Sequence, residues 1–200
     1  MAKTRKDATT KTDVGYKGNV TLEFQRNGRK IRTVRIKNTG VNRLFTGIAY
    51  FLSGRWSLYS PTAELNTINA YIPKYLGIGV EKTDSTATVA KTTFSDSLLQ
   101  NELNIRRFAV SPSNPRIDTT SGIVSVSFQA KVPFTSIGAG NRIIEIGLFN
   151  DNPTSGTAGL LARISLEVVD LPDGSTQRGI EIAPGEDFIV NWELQLGNKA

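Results

Sequence analysis

The chain has 200 residues, 38% of them hydrophobic, and carries 24 Lys and Arg against 18 Asp and Glu for a net charge of +6. It contains neither cysteine nor histidine, which excludes disulfides, thiolate metal sites, thiol nucleophiles and every mechanism that relies on an imidazole base. A chain of this size buries roughly 70% of its unfolded surface and builds a core without covalent staples, so it reads as one domain with at most an appendage.

The opening MAKTRKDATTKTD is basic and polar and leads into no apolar run, unlike a secretory signal. The longest apolar stretches, TGIAYFLSG and YLGIGV, fall far short of the ~20 residues that a membrane helix needs. The expectation is a soluble protein made in a cytosol, with no membrane partner. Residues 1–18 lack periodicity and are expected to form a flexible basic arm ahead of a single domain over 19–200. The charge is uneven. Lys3, Arg5, Lys6, Lys11, Lys17, Arg26, Arg29, Lys30, Arg32, Arg35 and Lys37 face only Asp7, Asp13 and Glu23 within the first forty residues, which leaves the rest slightly acidic. A basic front implies something negative opposite it.

A hairpin follows the arm. Val20, Leu22 and Phe24 alternate, Asn27-Gly28 supplies the positive-φ residues of a tight turn, and residues 31–36 return. The apolar parity changes between Ile31 and Val34, which predicts a bulge near Arg32-Thr33. Val41, Leu44, Phe45, Ile48 and Leu52 recur at helical spacing before Gly54, predicting the one substantial helix over 41–53. An irregular stretch with Trp56, Tyr59 and Tyr71 precedes a short strand over 74–80, in which Gly77 and Gly79 share a face. Residues 81–97 read as an exposed loop and 98–103 as a turn of helix. Strands are predicted over 106–110 and 122–132, with a loop over 135–141. Three further alternating runs follow, with Ile144, Ile146 and Leu148 in the first, Leu160 to Val168 in the second and Phe188, Val190, Trp192, Leu194 and Leu196 in the third. The predicted fold is all-β: an antiparallel, jelly-roll-like β-sandwich of about nine strands with one short helix. Val124, Val126, Phe128, Ile144, Ile146, Leu148, Val190, Trp192 and Leu194 are expected to share its core.

Several residue groups invite a chemical reading. Gly77 and Gly79 suggest a phosphate loop, but a third glycine and a following helix are missing, so close packing against a neighbour accounts for them better. Glu102, Arg106, Arg107 and Glu145 suggest an acid–base or anion site, against which stands an ion pair between strands. Asp151 between Asn150 and Asn152 hints at calcium, but its spacing is that of a turn. No catalytic residue, cofactor or metal is therefore expected. The basic residues Lys3, Arg5, Lys6 and Lys11 of the arm, with Arg26, Arg29, Lys30, Arg32, Arg35 and Lys37 of the hairpin, form the candidate assembly interface. They read as a docking surface for another protein, as a solvated edge protected against aggregation, or as a nucleic-acid contact. The last is weakened by the lack of interleaved aromatics. Trp56, Tyr59 and Tyr71 are candidate interface anchors or core plugs.

The phrases NTGVNRLFTGIAYFLSG, YLGIGV, LLQNELNIRRFAV, IIEIGLFND, GLLARISL and PGEDFIVNWELQL occur in this order. Their order over residues 38–197 resembles a group of bacteriophage virion proteins, mostly tail-fibre, baseplate or other particle-surface components. In that group an "LG.G" strand precedes an "E…R" segment, an "E-G-L-F" strand, an "L-A-R" phrase and a "V.W" strand. The resemblance implies a non-enzymatic virion structural protein, assembled in the host bacterial cytoplasm into a symmetric homo-oligomer among other virion proteins. A tail or baseplate position is the favoured expectation, with capsid decoration and nucleic-acid binding as alternatives. No catalytic residue transfers from the family, and residues 1–37 lie outside its pattern.

Overall fold

A computed structural model describes residues 14–40, 71–85, 99–103, 107–150, 159–166, 169–170 and 174–198. In chain order the described elements are β1 (Val14–Arg26), β2 (Arg29–Gly40), β3 (Tyr75–Lys82), β4 (Phe108–Ala109), β5 (Ser111–Pro112), β6 (Arg116–Asp118) and β7 (Ile123–Pro133). They continue with α1 (Phe134–Ile137), β8 (Asn141–Phe149), β9 (Leu160–Ser165), β10 (Val169–Asp170), β11 (Thr176–Gln177), β12 (Ile180–Glu181) and β13 (Glu186–Asn198). The strand count exceeds the predicted nine because several strands are only two or three residues long.

All pairings are antiparallel, and the architecture is an all-β sandwich, as the alternating runs predict. One sheet has the order β2-β1-β13-β7, with β5 and β6 on the far side of β7; the other has the order β4-β3-β8-β9, with β12 also on β8. Strand β2 belongs to both, since Thr39 and Gly40 at its end pair with Arg163 and Ala162 of β9. The C-terminal strand lies between the N-terminal hairpin and β7, in register with β1 from Val14–Asn198 to Arg26–Glu186.

The inward faces make one core. Val20, Leu22, Phe24, Ala130, Val132, Phe188, Val190 and Trp192 of the first sheet meet Leu76, Ile78, Ile146, Leu148, Leu161 and Ile164 of the second. Each large side chain so buried contributes roughly 1.5–3 kcal/mol. Phe24 and Phe188 stack with ring centroids 5.9 Å apart. Three expected core positions differ. Val124 is 41% exposed and Val126 half-buried, because they lie on rows beyond Phe128 at the end of the first sheet, paired with Leu196 and Leu194. Ile144 is buried but lies outside the common cluster. Glu145 pairs with Gly79 and Ile143 with Val80, so Ile144 is the extra residue of a bulge and Ile143 takes the core position.

Other sequence expectations shift by a few residues. The arm was drawn to residue 18, but Val14 to Gly18 already pair with β13. The hairpin turns at Asn27 and Gly28, both at positive φ, as predicted. Its bulge sits at Ile31, one residue before the predicted place: Phe24 pairs with Arg32 and Gln25 with Lys30. Residues 99–103 are not helical; Glu102 forms a bridge with Gly79. The loop expected over 135–141 begins inside the single turn of α1, which continues directly from β7. The predicted helix over 41–53 lies outside the described residues.

Candidate functional site

In a strand, successive side chains point to opposite faces, so the parity that buries Ile78, Ile146, Leu148 and Ile164 in the core sends their neighbours outward. Those neighbours are Gly77, Gly79, Glu145, Gly147, Phe149 and Arg163. Two strongly charged side chains on this face are nonetheless buried, Glu145 at 0% and Arg163 at 1% exposure. They form an ion pair, with Arg163 Nε and Nη2 at 2.9 and 2.8 Å from Glu145 Oε2. The other carboxylate oxygen accepts the backbone N–H of Asn101 at 2.5 Å. Both oxygens are therefore answered, which such a buried charge requires.

The glycines make this geometry possible. Gly79 stands opposite Glu145 in the register, and a methyl placed there would lie 2.2 Å from Glu145 Cγ. Without it, the Glu145 side chain lies across β3 and reaches the segment beyond. That segment, residues 99–103, is tied to the outer edge of β3: Val80 N–H donates to the Asn101 carbonyl and Leu103 N–H to the Ile78 carbonyl. A methyl at Gly77 would meet the Phe149 ring at 2.6 Å, and one at Gly147 would meet Leu160 at 2.7 Å. Leu99, Phe149 and Leu160 consequently pack as a small second apolar cluster, with Tyr75 against it. Arg107 closes the arrangement. Its guanidinium lies 3.4 Å from the Phe149 ring centroid and pairs with Glu102 through Nε at 2.6 Å. Close packing is thus the role of Gly77 and Gly79.

Of the acid–base candidates, Glu102 pairs with Arg107, whereas Glu145 takes Arg163; Arg106 lies outside the described residues. Sequence reasoning missed Arg163. The available signal was an arginine on the outward parity of an otherwise apolar strand, GLLARISL. Substituting Gly79 by alanine should cost about 1–3 kcal/mol through overpacking, read as a lower denaturation midpoint. An unchanged midpoint would show that Glu145 does not need to lie over β3.

The basic hairpin is partly neutralised from within. Arg26 pairs with Glu186 at 3.2 Å, Lys30 with Glu23 at 3.1 Å, and Arg32 with Glu186 at 3.5 Å. Arg32 also lies over the Phe24 ring and donates to the Glu181 carbonyl. The Gln25 side-chain amide, followed by Lys30, holds the Glu23 carboxyl below its ordinary pKa. Its pairing is thus complete at neutral pH and is lost as pH falls through that lowered value. Arg29 and Arg35 are exposed and have no carboxylate partner among the described residues. Glu186 and Asp187 serve as acceptors, Glu186 for Arg26 and Arg32 and Asp187 for Lys131 at 2.7 Å. Lys37 pairs by register with Asn19. Lys3, Arg5, Lys6, Lys11, Trp56 and Tyr59 lie outside the described residues, and Tyr71 is half-buried.

Among the described residues, no group of three or more metal-ligating side chains is placed to hold an ion, and no helix is long and apolar enough to cross a membrane. No family model, curated protein or solved structure matches this chain. The two charge groups differ in kind: one is sealed between strands, and the other is displayed at the surface.

Proposed function

We propose that the chain is a non-enzymatic structural component of a bacteriophage particle, built as a rigid sandwich that assembles with further copies of itself and with other virion proteins. One observation carries this reading. The phrases that resemble virion proteins are far apart in sequence, yet Gly77, Gly79, Glu102, Arg107, Glu145, Phe149 and Arg163 meet in a single cluster. Its charges are consumed by one another and by backbone, so the recurring residues act as architecture. A tail or baseplate position is favoured over capsid decoration, because the group that the ordered phrases resemble consists mostly of tail-fibre, baseplate or other particle-surface components. The mechanism is passive presentation of fixed faces, with the basic front as the assembly surface.

Sedimentation of the purified chain, followed by imaging of any closed ring or trimer, tests this reading. A chain that stays monomeric up to about 100 μM, a concentration at which contacts worth only about −5 to −6 kcal/mol would be populated, would end it. The segment ahead of β1 provides a sharper test. Deletion must stop at residue 13, since residues 14–18 are part of the sheet. Removing residues 2–13 should leave the melting temperature nearly unchanged and weaken assembly. Removing residues 2–18 should also lower stability, because it strips five residue pairs from β13.

The nucleic-acid alternative predicts a steep fall of binding with salt, set by the number of phosphates contacted. Intramolecular pairing of Arg26, Lys30 and Arg32 with Glu23 and Glu186 favours the protein-docking reading over that one.

A further inference from the structure

Strand β2 pairs with β1 along its length, from Arg29 to Asn38. Among the described residues its other side is paired only at Thr39 and Gly40, where it joins β9. The turn end of that open side is obstructed by the bulge at Ile31 and by Arg32, which is tied to Glu186 and to the Glu181 carbonyl. Residues 33–38 between these two points keep a regular register. We propose that this stretch accepts a strand, taking an extended segment of a partner protein in which acidic and apolar residues alternate. The inference rests on the assembly reading above and names the chemistry of the partner.

Both faces of the edge define that chemistry. Val34 is buried at 3% exposure and Ile36 packs against the core, so an added strand continues the sandwich interior with apolar residues. Arg35 is on the opposite, solvent face, exposed and without a carboxylate among the described residues. Opposite-charge cross-strand pairs are favourable and like-charge pairs are not, so the outward positions of the incoming strand are acidic. A polyphosphate fits this edge poorly. It offers acceptors alone, whereas an unpaired strand presents carbonyls as well as N–H groups. The chain's own first thirteen residues also fit poorly, with Lys3, Arg5, Lys6 and Lys11 against Asp7 and Asp13.

The full chain is titrated with a capped peptide of four Glu-Val repeats, with a block peptide of the same composition, and with a single-stranded DNA of about 20 nucleotides, enough to fill a typical single-strand site. The alternating peptide should bind at least about fivefold more tightly than the block peptide, the scale of matched cross-strand pairs. It should also slow amide hydrogen exchange at residues 33–38. Arg35→Glu, an exposed change whose fold is checked by circular dichroism and melting, should weaken that binding roughly five- to tenfold as an attractive pair becomes repulsive. Equal binding of the two peptides, unchanged exchange at residues 33–38, or tighter binding of the DNA would overturn the proposal. Sedimentation of the same samples separates the two readings. Assembly of a chain that takes no peptide refutes the strand-accepting edge alone. A peptide-binding chain that never self-associates refutes homo-oligomeric assembly alone.

Discussion

Arg163→Met should destabilise the protein by about 3–5 kcal/mol, the cost of leaving a buried carboxylate without its cation. Glu145 is fully buried and its second oxygen is already committed to the Asn101 amide, so it cannot turn to water. Glu145→Leu, which takes the carboxylate away from the Arg163 guanidinium and from the Asn101 amide, should also destabilise the protein. The double variant should recover more than half of either single loss, because an apolar pair of similar volume replaces a buried ion pair at little cost. Denaturant titrations of the four proteins give the coupling directly. A single-variant loss below about 1 kcal/mol, the range of an exposed pair, would show that the site is open to solvent. Hydrogen exchange supplies an independent readout: Asn101 and Leu103 should lose protection in Glu145→Leu before the core strands do, since the carboxylate ties residues 99–103 to the sheet.

Trp192→Ala should cost about 3–5 kcal/mol, the usual penalty for emptying a large aromatic site in a core. Trp192 is fully buried at the centre of the first sheet, paired with Val20 on one side and Phe128 on the other. Its indole nitrogen, however, has no hydrogen-bond partner among the described residues. A buried unanswered N–H is unfavourable by about 1–3 kcal/mol, so Trp192→Phe gives back part of what it loses in volume and should cost far less than the alanine change. The comparison is read as a shift of the denaturation midpoint at constant slope. If phenylalanine proved as costly as alanine, the indole N–H would have to be satisfied after all.

The long strands were legible in the sequence because period-two alternation is imposed by one buried face. The runs around Val20, Phe128 and Trp192 show it plainly, and Asn27-Gly28 marked the turn because few residue pairs tolerate two positive φ angles. Bulges were harder to place. Ile31 and Ile144 each shift the parity by one residue, and hydropathy alone does not show which residue is extruded. Residues 99–103 were misread because their structure is dictated by partners distant in sequence, namely the Glu145 carboxylate and the edge of β3. The charge cluster was half legible. Glu102, Arg107 and Glu145 were named together as an acid–base or ion-pair group. The pairing of Glu145 with Arg163 depends on the β8–β9 register, in which Arg163 stands opposite Gly147.

The position of β13 between β1 and β7 has a consequence during synthesis. Arg26 and its partner Glu186 are 160 residues apart, which at roughly 5–20 residues per second means that the hairpin waits about ten to thirty seconds for its neighbour. Throughout that interval one edge of β1 is unpaired, and Val20, Leu22 and Phe24 lack their lateral neighbours Trp192, Val190 and Phe188. A nascent chain in this state is a template for pairing with the next ribosome's product. The hairpin's cations, well in excess of its one acid, repel an identical hairpin and so hold sister chains apart. When β13 arrives, the single Glu186 carboxylate is shared by Arg26 and Arg32 and offsets one of these charges, so the step that covers the edge of β1 also lowers the repulsion that protected the growing chain.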